Sequence, residues 1–227
     1  MKLYVVSGLG ADFKVLEKIK FPTHLEIVFL DWIIPEKNEN FQSYIEKMAS
    51  KIDGSEPFYL LGYSFGGIIV QEIDKINPAE KVVILGCIKS NTEMSGFLKA
   101  SSITKISRFL PTPLFNEKSA LVYAVLRKFF DSKNPMIMDY FAVRNPYYLK
   151  WSIGKISNWV FENNPKVIQI LGEKDLIFPP KYSHPDYIIS RGTHLFPATR
   201  PKQVSEILAK IFSWDFRNFF KAICNKK

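Results

Sequence analysis

The chain has 227 residues, of which 47% are hydrophobic and 23% charged, with a formal net charge of +9 and a pI of about 9.4. That composition excludes a disordered chain, and the length suits one α/β core rather than two. The two cysteines, Cys87 and Cys224, are far apart and in no paired spacing, which suggests neither a disulfide framework nor a zinc site and fits a reducing compartment.

No apolar run reaches the roughly 18 residues of a membrane span. The run from Leu3 to Val6 is too short for a signal-peptide core and breaks at Gly8, so a soluble, cytoplasmic protein is expected. The positive charge is concentrated: residues 88–160 hold eleven Lys or Arg against four Asp or Glu, a surplus of seven. Such a run reads as a solvated surface or as attraction for an anionic substrate. Without a recognisable nucleic-acid module beside it, it does not argue for nucleic-acid binding.

In chain order, KLYVVSG (2–8) is a β-rich apolar run closed by glycine and predicts a buried strand. ADFKVLEKI (11–19) has helical spacing, and LEIVFLDW (25–32) predicts a second strand. NFQSYIEKMASKI (40–52) is amphipathic, with Phe41, Ile45, Met48 and Ile52 on one stripe. PFYLLGYS (57–64) is a third strand, FGGIIVQEIDKIN (65–77) a helix stopped by Asn77-Pro78, and KVVILGC (81–87) a fourth strand. Continuous apolar strands alternating with helices predict a parallel sheet covered on both faces.

The alternation then stops. Residues 88–160 carry four prolines, many apolar residues and helical stretches such as SALVYAVLRKFF (119–130), far more than an ordinary connection needs, and predict an inserted helical cap. It resumes with KVIQILGEKD (166–175), the short strand DYIIS (186–190) and the turn RGTH (191–194). A last helix is expected from Pro201 through QVSEILAKIF (203–212) and on into WDFRNFFKAI (214–223).

Gly62-Tyr63-Ser64-Phe65-Gly66 is a G-x-S-x-G sequence with a strand before it and a helix after it. A serine exposed on so tight a turn brings the positions two before and two after it together, where only small residues fit. Gly62 and Gly66 supply that room, and Gly67 allows close helix packing. The opening turn of the helix also points free N–H groups at any anion forming beside Ser64.

A serine nucleophile needs a base and an orienting acid. Of the three histidines, His194 follows the last strand and falls at the carboxyl edge of the sheet, ahead of His184 and His24 as the base. Asp175, just past the fifth strand, is favoured as the acid over Glu173 because an apolar segment follows that can bury it. The loop SGLGAD (7–12), after the first strand, can offer the backbone N–H of Leu9, alongside that of Phe65, to a developing oxyanion.

The motifs SGLGAD, GYSFGG, GEKD and GTH, in the order Ser64, Asp175, His194, resemble the α/β-hydrolase superfamily, in particular small bacterial-type serine hydrolases with a helical cap. The resemblance covers nearly the whole chain apart from the cap. It implies a mostly parallel six-stranded sheet with helices on both faces, lacking the family's first hairpin, as one domain over 1–227 with the cap inserted at about 88–160. The family's oxyanion loop begins with His-Gly, where this chain has Ser7-Gly8.

The implied chemistry is acyl transfer from a small carboxylic ester or thioester, the positive charge favouring one with an anionic group, with Ser64, Asp175 and His194 catalytic, Leu9 and Phe65 as oxyanion donors, and no cofactor or metal. The same fold also serves acyltransferases, lyases and non-catalytic binders. Gly8-Leu9-Gly10 mimics part of a dinucleotide fingerprint, but Phe13 stands where its third glycine belongs. The aromatic and basic C-terminal run reads as the docked end of the last helix in preference to a membrane-surface element.

Overall fold

Strand residues of this chain alternate between two hydrophobic layers, and that alternation sets the architecture. Leu3 and Val5 of the first strand join one buried cluster, while Tyr4 and Val6 join the other. The computed structural model describes residues 1–94, 96, 137–161 and 164–213. Its strands are β1 (Lys2–Val6), β2 (Glu26–Phe29), β3 (Phe58–Tyr63), β4 (Lys81–Leu85), β5 (Val167–Gly172) and β6 (Tyr187–Ile189). They form one sheet of order β2-β1-β3-β4-β5-β6, parallel at every pairing.

Among the described residues the helices are α1 (Phe41–Ala49), α2 (Phe65–Ile76), α3 (Pro146–Ser157), α4 (Phe196–Thr199) and α5 (Pro201–Ile211). Helices α1 and α2 pack on one face, burying Tyr44, Ile45, Met48, Ile68 and Ile69 against Tyr4, Leu60 and Val82. Helix α5 covers the other face, with Val204 and Leu208 against Leu3, Leu61 and Val83. Helix α1 starts where Asn40 Oδ1 accepts the Ser43 N–H at 2.8 Å, a side-chain cap that satisfies one of the first-turn donors.

The chain leaves β1 toward β2 on one side and then returns to β3 on the other. That reversal places a switch point between β1 and β3, and in open α/β sheets ligands gather outside the carboxyl ends of the strands at such a point. The loop after β1 and the turn after β3 meet there.

Two local expectations are corrected. Residues 11–19 do not form a helix but a 3-10 turn, Phe13–Val15, and further turns. The Asp12 carboxylate accepts the Lys14 N–H, and the N–H groups of Leu16, Glu17 and Ile19 reach back only three residues. Pro22 leaves little length for a full helix before β2 begins. Val15, Leu16 and Ile19 are buried all the same, so the apolar spacing marked burial rather than helix. The second strand is also shorter than LEIVFLDW suggests, and Trp32 lies beyond its end.

Most of the expected cap, including 119–130, lies outside the described residues, as does the C-terminal run 214–227 with Cys224. The described part of 88–160 includes α3, where Pro146 opens the helix and Asn145 Oδ1 accepts the Tyr148 N–H. Trp151 of α3 packs on Phe41 and Tyr44 and donates its indole N–H to the Glu39 carbonyl at 2.9 Å. No helix among the described residues is long and apolar enough to cross a membrane.

Candidate active site

Ser64 sits between β3 and α2 with φ 52° and ψ −119°, a conformation that costs a non-glycine residue on the order of 1–3 kcal/mol. The turn closes because two glycines allow it. A Cβ on Gly62 would lie 2.3 Å from the Gly66 carbonyl oxygen, and one on Gly66 would lie 2.3 Å from the carbonyl oxygens of both Val6 and Ser7. Gly67 lets α2 approach Cys87, whose Cβ would stand 2.5 Å from an added methyl. The three glycines act through close approach, as their spacing predicts.

Asp175 and His194 are brought to this turn by the parallel sheet. β5 and β6 end at the same edge as β3, and the loops after them are tied together: Lys174 donates its N–H to the Gly192 carbonyl at 2.7 Å and Glu173 to that of Ile189 at 3.0 Å. Gly172 permits this contact, since a Cβ there would meet the Gly192 oxygen at 2.5 Å.

The result is a continuous chain of side chains. His194 Nε2 is 2.8 Å from Ser64 Oγ, and His194 Nδ1 is 2.7 Å from Asp175 Oδ2. The other Asp175 oxygen accepts the backbone N–H groups of Ile177 and Phe178 at 2.8 and 2.9 Å. A carboxylate so surrounded by donors is an acceptor, so Nδ1 carries the ring proton and Nε2 is left to accept from the serine hydroxyl. His194 is 0% and Asp175 2% exposed, while Ser64 retains 6%, so of the three the serine has the most access to solvent.

The competing residues stand elsewhere. Glu173 is exposed and accepts the Arg191 N–H, and His24 and His184 are exposed. Phe65 opens α2, placing its N–H in the helix's first turn. The loop carrying Leu9 runs beside the serine: a Cβ on Gly8 would be 2.9 Å from the Tyr63 ring and 3.5 Å from Ser64 Cβ.

Several side chains that sequence reasoning passed over complete the surroundings. The Tyr63 hydroxyl donates to the His194 carbonyl at 3.0 Å, and burial, helped by the charge of Asp175, pushes its pKa up, so it remains a donor. Phe178 and Tyr63 flank the imidazole at ring distances of 5.7 and 5.6 Å. Trp32 stacks on Phe65, and Tyr148 of α3 lies against Trp32. Tyr63 was visible as the middle letter of Gly-Tyr-Ser, but nothing in the sequence joined the other three to the site. Cys87 is buried close by, and burial raises its thiol pKa, which keeps it protonated and a poor rival nucleophile.

No protein-family model matches the sequence, and no curated protein matches it either. Solved structures do. A lipase-esterase related protein from Clostridium acetobutylicum is 19% identical, with a TM-score of 0.65 over 92% of this chain and 93% of that one. A hydrolase from Pseudomonas aeruginosa gives 13% identity and a TM-score of 0.68 over 94% and 90%. RedJ-thioesterase of the prodiginine pathway in Streptomyces coelicolor gives 13% and 0.60 over 92% and 84%. With its parallel six-stranded sheet and these neighbours, the chain has the α/β-hydrolase fold.

Because an added methyl at position 66 meets main-chain oxygens of β1 and its loop, with no flexible side chain to yield, Gly66→Ala should destabilise the protein by about 3 kcal/mol, the upper end for overpacking. Urea unfolding measures this, and a midpoint equal to the parent's would contradict the close approach.

Proposed function

Starting from the α/β-hydrolase fold, we propose that this protein is a serine hydrolase that cleaves a small carboxylic ester or thioester through an acyl-enzyme. The observation that carries the reading is the unbroken chain Ser64–His194–Asp175, in which the serine, at 6%, is the most exposed of the three and the carboxylate is buried. Names among the structural neighbours, esterase and thioesterase, point to the same reaction class.

In the proposed mechanism, Ser64 Oγ attacks the substrate carbonyl while its proton passes to His194 Nε2. Asp175 holds the imidazole in the required tautomer and stabilises the imidazolium. The negative charge on the former carbonyl oxygen is taken by the N–H groups of Leu9 and Phe65, and collapse of the adduct expels the leaving group with the proton from His194. Water, deprotonated by the same imidazole, then attacks the acyl-enzyme and releases the acid. Residues 88–160 are read as a cap inserted into a single domain, and their basic surplus favours substrates carrying an anionic group.

A fluorophosphonate should add one mass adduct to the purified parent and none to Ser64→Ala, as read by intact mass spectrometry. A folded parent without an adduct would overturn the reading in favour of a non-catalytic binder. Asp175→Asn should lower kcat by about 10⁴-fold, the cost of a mis-set tautomer, whereas Glu173→Gln should change it less than about twofold, since a solvated side chain lies outside the chain of bonds. A comparable loss in the glutamate variant would reassign the acid. For esters of matched length, kcat/KM should favour the anionic member and the advantage should shrink with added salt; equal values at low and high salt would remove the charge clause.

A further inference from the structure

The loop after β1 that carries the Leu9 amide is held by side chains from outside it, Trp32 and Tyr148. We propose that Trp32 and Tyr148 are positioning residues that aim the Leu9 N–H at the oxyanion of the Ser64 adduct, an inference that rests on the serine-hydrolase reading.

A trans peptide is planar, and its C=O and N–H point in opposite directions. The Leu9 N–H shares its plane with the Gly8 carbonyl. That oxygen is held twice, by the Trp32 indole N–H at 3.0 Å and by the Ala11 N–H at 2.9 Å. Fixing the oxygen fixes the direction of the amide proton at the other end of the plane. The Trp32 N–H is shared with the Ala11 carbonyl at 3.2 Å, which ties both ends of the loop to one ring.

The next plane is held from the other side of the site. The Gly10 N–H, in the Leu9–Gly10 plane, donates to the Tyr148 hydroxyl at 3.2 Å, and in the plane after it the Gly10 carbonyl accepts the Val143 N–H at 2.9 Å. Both planes flanking the Leu9 Cα are therefore anchored. Gly10 has φ +63°, and a Cβ there would lie 2.6 Å from the Val143 oxygen, so this anchorage also needs the glycine. With the Gly10 N–H engaged by Tyr148, no acceptor among the described residues meets that of Leu9, which makes Leu9 the donor left to the substrate.

The indole also reaches the second donor. Its ring lies 5.4 Å from that of Phe65 and within 10° of parallel, so one side chain braces the residues that supply both N–H groups. Tyr148 is fully buried and its ring stands 5.7 Å from the indole. Burial pushes the phenol pKa well up, so the hydroxyl stays neutral through the working range.

The test uses the full-length protein, p-nitrophenyl butyrate as substrate and an aliphatic trifluoromethyl ketone as inhibitor. Ser64 Oγ adds to the ketone carbonyl, the carbonyl electron pair becomes an oxyanion, and the hydroxyl proton goes to His194, so the hemiketal reports on the oxyanion donors. Trp32→Phe keeps a ring on Phe65 but loses the indole donor, and Tyr148→Phe loses only the hydroxyl.

Each should lower kcat and weaken the ketone by about tenfold, below the loss of a whole oxyanion donor, with KM changed less than about twofold. Trp151→Phe is the control. It deletes an equivalent indole hydrogen bond in the same aromatic cluster without touching the loop, and should leave kcat and ketone affinity within about twofold of the parent, as for an interaction the transition state does not use.

Unchanged ketone affinity in Tyr148→Phe and in folded Trp32→Phe overturns the proposal, as does an equal loss in Trp151→Phe or a loss confined to KM. Fluorophosphonate labelling of the parent separates the two levels. A labelled parent with insensitive variants overturns the positioning role alone, and an unlabelled parent overturns the hydrolase reading and this inference with it.

Discussion

The backbone of Ser64, held at φ 52°, is the constraint on which the rest of the site depends. A serine does not adopt that conformation unless its surroundings leave no alternative. Here its N–H donates to the Leu85 carbonyl at 2.8 Å, its carbonyl accepts the Gly67 N–H at 2.9 Å, and β3 is hydrogen-bonded to neighbours on both sides. The six residues of β3 are all buried, as are the first ten of α2. A strained turn between two elements so firmly held cannot relax by itself, and the hydroxyl remains where His194 can reach it.

The same parallel sheet answers how residues 64, 175 and 194 meet. Each follows a strand that runs in one direction, so each falls at one edge, and the hydrogen bonds between the loops after β5 and β6 reduce the remaining freedom. Asp175 and Glu173 illustrate how burial sets two near carboxylates apart. Two positions of chain separate an exposed carboxylate on a surface loop from one that is enclosed and receives three N–H donors.

How much of this was legible in the sequence follows from the range of the interaction involved. Strands such as KVVILGC and the glycines around Ser64 were readable because their signal is local, a run of apolar residues or a spacing of two. The meeting of His194 and Asp175 beside Ser64 was readable because so few histidines exist and because strand ends mark the sheet edge. Residues 11–19 were misread because burial and helix share one apolar spacing over short lengths, and only i to i−3 hydrogen bonding tells them apart. Trp32 and Tyr148 were invisible for a different reason. Trp32 looked like the tail of a strand, Tyr148 belonged to a segment with no strand pattern, and what joins each of them to the loop after β1 is a contact across 21 or more residues of sequence.

Those contacts give helix α3 a part in holding the loop after β1. Helix α3 does not merely return the chain to β5. Tyr148 meets Gly10, Val143 meets the Gly10 carbonyl, and the Tyr140 carbonyl accepts the Asp12 N–H, so the end of the 88–160 segment is stitched along the whole loop after β1. A few residues on, Trp151 and Tyr147 bond to the backbone around residues 36–39, which leads into α1. Loss of the Tyr148 contact would therefore free the Gly10 peptide without moving Ser64, whose own position is set by the core. In such an arrangement Ser64 and the proposed oxyanion donor answer to different parts of the fold. Ser64 depends on the packed sheet, and Leu9 depends on aromatic side chains that also border the insertion. Under the proposed function, the Leu9 peptide plane can turn without any change in the geometry of Ser64, His194 and Asp175.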